Sequence, residues 1–89
     1  MRFKVVRICN SEANTVIPLE HFNLDMAMSA EQLSGGGFEV QNREMMLIAK
    51  KEGVEYTIYR TGKVLIHPAP LEKAKGMAES LYTMLVRQA

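Results

Sequence analysis

The stretch from Val54 to His67 limits the fold more than any other part of the chain. Val54-Glu55-Tyr56-Thr57-Ile58-Tyr59-Arg60 is dense in β-branched and aromatic residues, Arg60-Thr61-Gly62-Lys63 is a tight connection containing glycine, and Val64-Leu65-Ile66-His67 is a second apolar run. Two such runs around a glycine turn predict a β-hairpin. Successive strand side chains point to opposite faces, so parity divides the hairpin. With Tyr56 and Ile58 directed at a core, Thr57 and Tyr59 face away. Across the turn, Val64 and Ile66 point in, and Leu65 and His67 point out. The second face mixes aromatic, aliphatic and polar groups, a makeup suited to a contact surface.

The flanking sequence supplies material to cover the first face. Phe3 to Cys9 reads as a first strand and Asn10 to Asn14 as turn chemistry. Thr15-Val16-Ile17 is either a short return strand or an extended lead-in to Pro18. Pro18 suits the first turn of a helix. Leu19, Phe22, Met26, Ala30 and Leu33 then recur at helical spacing. Ser29-Ala30-Glu31-Gln32 matches a capping box, so this helix is expected to break near residue 28 and restart. Gly35-Gly36-Gly37 ends it. Phe38-Glu39-Val40 offers a short extra strand, Met45 to Ala49 a full one, and Lys50 to Gly53 a turn. After Pro68-Ala69-Pro70, the residues Leu71, Ala74, Met77, Ala78, Leu81, Met84 and Leu85 form the stripe of a last helix. Gly76 falls nearly opposite that stripe and costs about 1 kcal/mol against Ala, and close approach by a partner is one role for it. The expected fold is a single α+β domain spanning residues 1–89. Its curved antiparallel sheet carries two helices packed on one face, in the order β-α-β-β-β-α with room for one extra short strand.

Composition closes off several function classes. A chain of 89 residues that is 47% hydrophobic and 24% charged has the makeup of one globular domain. Its net charge of +1 gives no bulk attraction to polyanions. No run approaches the ~18 apolar residues of a membrane helix, so no membrane partner is expected. The amino terminus alternates charged and apolar residues, unlike a signal peptide. One cysteine cannot form an internal disulfide, and a reducing cytoplasm is the expected compartment.

The chemistry-bearing residues are sparse. Cys9, His21 and His67 lack the local pairing of a zinc site. Cys9 with His67 as nucleophile and base competes with a packed, inert thiol, which is the better reading for a cysteine in an apolar strand. The glycine run has no Lys-Ser/Thr after it and is not a phosphate loop. No catalytic residue, metal or cofactor is expected. Arg2, Lys4, Lys50, Lys51, Arg60 and Lys63 fall on strands or hairpin ends. Lys50, Lys51, Arg60 and Lys63 are expected at the rims of the sheet, where beside Tyr59 they would resemble a backbone-binding rim. Glu52 and Glu55 lie among them, and a solvated surface is the competing reading. Seven methionines are many for this length. Met45 adjoins Met46 and Met28 is close to Met26, so some thioethers point away from the core.

Tyr56 to Ile66, with its Thr-Gly-Lys turn and the helix rich in Ala, Glu and Lys that follows, resembles the second half of one repeat of the TATA-box-binding protein family. In outline the likeness extends over most of the chain. In residues it covers about a dozen positions. That family joins two repeats into a saddle whose sheet lies in the DNA minor groove, with phenylalanine wedges. This chain has the length of one repeat, so the resemblance implies a homodimer. It places Tyr59 at one wedge position, Thr57, Leu65 and His67 at groove-facing positions, and the non-aromatic Asn42 and Arg43 near the other wedge.

The expected function is non-enzymatic binding through the uncovered sheet face. Thr57, Tyr59, Leu65 and His67 make its floor, and Arg60 and Lys63 its rim. Two occupants compete: nucleic acid, bound by a homodimer, and a protein partner that covers the face in an assembly.

Overall fold

The computed structural model describes residues 2–7, 13–20, 23–69 and 71–87. Within these residues the strands are β1 (Phe3–Arg7), β2 (Asn14–Pro18), β3 (Glu39–Arg43), β4 (Met46–Lys51), β5 (Val54–Tyr59) and β6 (Val64–His67). The helices are α1 (Met26–Gly35), between β2 and β3, and α2 (Leu71–Tyr82), after β6. The strands form one open sheet in the order β1-β2-β6-β5-β4-β3. Every neighbouring pair is antiparallel. The α+β class and the approximate element order agree with the sequence reading.

Parity organises the layers. Val16, Leu47, Ala49, Ile58, Val64 and Ile66 are fully buried, and Tyr56 nearly so. The register brings them onto one face, with Val16 beside Val64, Val64 beside Ile58 and Ile58 beside Leu47. They form a single cluster with Leu33 of α1 and Ala78 and Leu81 of α2. Helix α1 lies over β3 and β4, and α2 over β1 and β2. Both helices therefore cover the same face, the arrangement that lets two apolar stripes share one core.

The amino-terminal half differs in detail from the sequence reading. Thr15-Val16-Ile17 belongs to a real strand, β2, which pairs with β1 from Phe3↔Pro18 to Arg7↔Asn14. Pro18 closes that strand and does not open a helix, since a strand end tolerates a missing N–H. Helix α1 begins at Met26, where the Asp25 carboxylate accepts the Met28 N–H at 3.0 Å. Leu19 is 59% exposed and lies outside the helix. Phe22, like Cys9, His21 and Pro70, lies outside the described residues. Ser29 is a buried residue within α1, not a cap. Its hydroxyl accepts the Val86 N–H at 2.9 Å and donates to the Val86 carbonyl at 3.3 Å. Asp25 N–H also donates to that carbonyl, and Leu24 bridges Arg87. The start of α1 and the chain's last described residues are thus fastened together. Strand β3 runs to Arg43, three residues beyond the short piece expected there.

The glycine run stops α1 by a Schellman arrangement. Phe38 N–H donates to the Leu33 carbonyl and Gly37 N–H to the Ser34 carbonyl, with Gly37 at φ +94°. At Gly36 a Cβ would collide with the Met84 methyl group, so the bare backbone makes room for that side chain. Gly36 thereby has a packing role, whereas a Cβ at Gly35 would meet nothing within 4 Å. The β4–β5 turn uses Glu52 at φ 52° and Gly53 at φ 80°, the signs of a two-residue I′ turn.

Two polar ties hold the layers. Asn14, expected in a turn, is fully buried, and its amide donates to the Ala69 carbonyl at 2.5 Å. The Tyr82 hydroxyl donates to the Gly62 carbonyl at 2.6 Å, joining α2 to the β5–β6 connection. Burial pushes its pKa up to about 12, so it remains a donor through neutral pH.

Gly76 is exposed, and a Cβ there would meet nothing within 4 Å. Gly76→Ala is therefore expected to raise stability by about 0.5–1 kcal/mol, read as a higher urea midpoint. A lowered midpoint would count against an ordinary helical backbone at this position. Among the described residues no helix is long and apolar enough to cross a membrane.

Candidate functional site

Among the described residues nothing covers the face opposite the helices, and the register defines its rows. The central row runs Val6–Thr15–Leu65–Thr57–Ile48–Gln41 across all six strands. It is aliphatic and hydroxylic, and its inner members are half-buried by their neighbours alone.

A second row contains the aromatic. Tyr59 stands opposite Met46, and Met46 opposite Arg43. In the other direction Tyr59 N–H donates to the Lys63 carbonyl at 2.8 Å, and continuing the β2–β6 register sets Ile17 beside Lys63. Lys4 pairs with Ile17. The row is therefore Lys4–Ile17–Lys63–Tyr59–Met46–Arg43, with a cation at each end. The Lys63 ammonium sits 5.7 Å from the centre of the Tyr59 ring, a cation–π contact.

The third row, Glu39–Lys50–Glu55–His67, lies on the opposite flank. Its charges alternate, and Lys50 is 3.7 Å from Glu55. A cleft of about 550 Å³ surrounds this flank and the β4–β5 turn, lined in part by Lys50, Glu55, His67 and Pro68. It lies on the opposite flank from Tyr59.

The structure places Thr57, Tyr59, Leu65 and His67 on this face by the predicted parity. It separates them in environment: Thr57 and Leu65 are directly opposite each other in the centre, Tyr59 is in the basic row, and exposed His67 is opposite Glu55 in the mixed one. Arg60 reaches along the end of the sheet, where its guanidinium donates to the Glu44 carbonyl at 3.2 Å. Lys51 is not a rim residue. It lies on the helix side, where its ammonium donates to the Gly36 carbonyl at 3.0 Å and sits 5.1 Å from the centre of the Phe38 ring. Met45 is 66% exposed and Met28 50% exposed, while Met26 is buried.

Lys4, Thr15, Ile17, Arg43, Met46 and Ile48 also belong to the face, and the sequence reading did not bring them together. The unbroken apolar run from Met45 to Ala49 has no alternation from which to read its parity. Only its pairing with β5 sends Leu47 inward and Met46 and Ile48 outward.

Among the described residues no three His, Cys, Asp or Glu side chains gather as metal ligands. No protein-family model, curated protein or solved structure matches the chain.

Proposed function

We propose that this protein is a non-enzymatic binding domain whose open sheet face contacts nucleic acid. The observation that carries the reading is the row from Lys4 to Arg43, in which an exposed edge cation stands at each end and Tyr59 lies between them. Cations at the ends suit a phosphate backbone, and a ring with aliphatic neighbours suits base or sugar surface. The concentration of cations on one flank supplies locally what a net charge of +1 does not supply in bulk. The likeness of residues 56–66 to a repeat of the TATA-box-binding protein family is consistent with this use, and it calls for a dimer to double the platform.

Binding of a mixed-sequence oligonucleotide should weaken steeply as salt rises from about 50 to about 200 mM. Tyr59→Ala should weaken it by about 1–3 kcal/mol if the ring stacks on a base. A response flat in salt would remove the reading.

One observation favours a second reading. The central row, with Val6, Leu65 and Ile48, is aliphatic enough to seat against a protein. In that case Leu65→Asp would abolish partner capture, and nuclease treatment would not.

A further inference from the structure

Strand β3 forms one edge of the sheet, so among the described residues its outer backbone groups have no neighbouring strand. Its sequence is Glu39-Val40-Gln41-Asn42-Arg43, with one acid and one base at opposite ends. Laid antiparallel against itself about Gln41, this strand puts Glu39 opposite Arg43, Val40 opposite Asn42 and Gln41 opposite Gln41. Both charge pairs match. We propose that β3 pairs with β3 of a second copy of this chain, extending the sheet from six strands to twelve.

Three further observations point to the same partner. The first concerns faces. Glu39, Gln41 and Arg43 lie on the open side, in register with Lys50, Ile48 and Met46. A two-fold axis through Gln41 and perpendicular to the sheet joins residues of equal parity, so both open faces look the same way.

The second concerns charge order. Within one chain the third row reads acid, base, acid from Glu39 through Lys50 to Glu55, and Lys50 is already 3.7 Å from Glu55. Arg43 of the second copy, arriving beside Glu39, continues the alternation outward. Its own row then follows, with Met46 and Tyr59. The basic row of each copy thus runs into the mixed row of the other. Arg43 is held along its own strand by a 3.0 Å hydrogen bond to the Gln41 side chain, close to the proposed axis.

The third is the contrast with the opposite edge. Strand β1 and the residue before it carry Arg2, Lys4 and Arg7 and no acid. Self-pairing there would set no acid against any base, so no charge pair would favour it. The two edges of the sheet are therefore unequal, and only β3 is self-complementary.

Pairing through β3 would join two open faces into one surface and so enlarge the platform of the preceding reading, with Arg43 paired in the seam and Lys4 and Lys63 of each copy outside it. Its test measures association without any nucleic acid, so either can fail while the other stands. Sedimentation velocity over about a hundredfold range of protein concentration should show a reversible monomer–dimer equilibrium. Arg43→Glu sets acid against acid twice, and Glu39→Arg sets base against base twice. Each is expected to raise the dissociation constant about tenfold or more. Glu39→Arg with Arg43→Glu restores opposite charges on every pair and should return the constant to within about threefold of the parent value. Circular dichroism of each variant checks that the fold persists. A parent chain that stays monomeric throughout would overturn the proposal, as would single reversals without effect or a double exchange that does not recover. Loss of the dimer in Leu65→Asp, with both charge reversals neutral, would move the second copy onto the open face and equally overturn edge pairing.

Discussion

Ile58→Ala is expected to cost about 2–5 kcal/mol of folding stability, while Ile48→Ala, on the neighbouring strand, should cost only about 1 kcal/mol. The residue type and the deletion are the same. What differs is the face. Ile58 is fully buried between Val64 and Leu47, within the cluster shared with both helices. Its truncation leaves a cavity that the flanking strands cannot close without breaking their ladders. Ile48 lies in the central row of the open side, between Gln41 and Thr57, with no helix above it. Its truncation removes some cross-strand contact and some strand preference, and solvent fills the space. Urea unfolding of the two variants gives the comparison directly. Equal losses would mean that something covers both faces, and the binding surface argued above would not exist.

The hairpin from Val54 to His67 was legible because its alternation is nearly strict and its turn has a glycine where one is required. Gly62 adopts φ +91°. Parity alone then placed Tyr56 and Ile58 inside and Thr57, Tyr59 and Leu65 outside. The amino-terminal half was less legible because two local signals compete there. Pro18 with a later apolar stripe resembles a helix start, but the stronger cap is Asp25, whose carboxylate faces the Met28 N–H. Ser29 has the spacing of a cap and instead serves a strand-like segment more than fifty residues away, at Val86. That contact has no local signature. The extent of the face was hidden for a similar reason. Ile17, Met46 and Ile48 each look like core residues, and only the register across β2, β6, β5 and β4 shows that they line up beside Tyr59 and Leu65.

Asn14 is where long-range context most clearly overrides local preference, and Asn14→Asp tests it. The native amide is fully buried on the helix side of β2 and donates to the carbonyl of Ala69, in the connection between β6 and α2. Its carbonyl oxygen has no hydrogen-bond partner among the described residues. Replacing the NH₂ with a second oxygen removes the donor, sets a carboxylate against the Ala69 carbonyl and buries an unpaired charge. At neutral pH the expected loss is about 3–5 kcal/mol, a large share of a small domain's stability. The loss should depend on pH in one direction. Burial raises the folded-state pKa of such a carboxyl above its unfolded value of about 3.9. The penalty is therefore complete above the folded-state value and fades as pH falls toward the unfolded one. Once protonated, the carboxyl has an O–H that can donate to Ala69 as the amide did. Urea midpoints of parent and variant, compared at about pH 7 and about pH 4.5, should converge at the lower value. Asn14→Ala, which loses the hydrogen bond without gaining a charge, should cost less at neutral pH and show no such convergence. If Asn14→Asp cost little at either pH, the side chain at residue 14 would be facing solvent, and the tie between β2 and the β6–α2 connection would have to be abandoned.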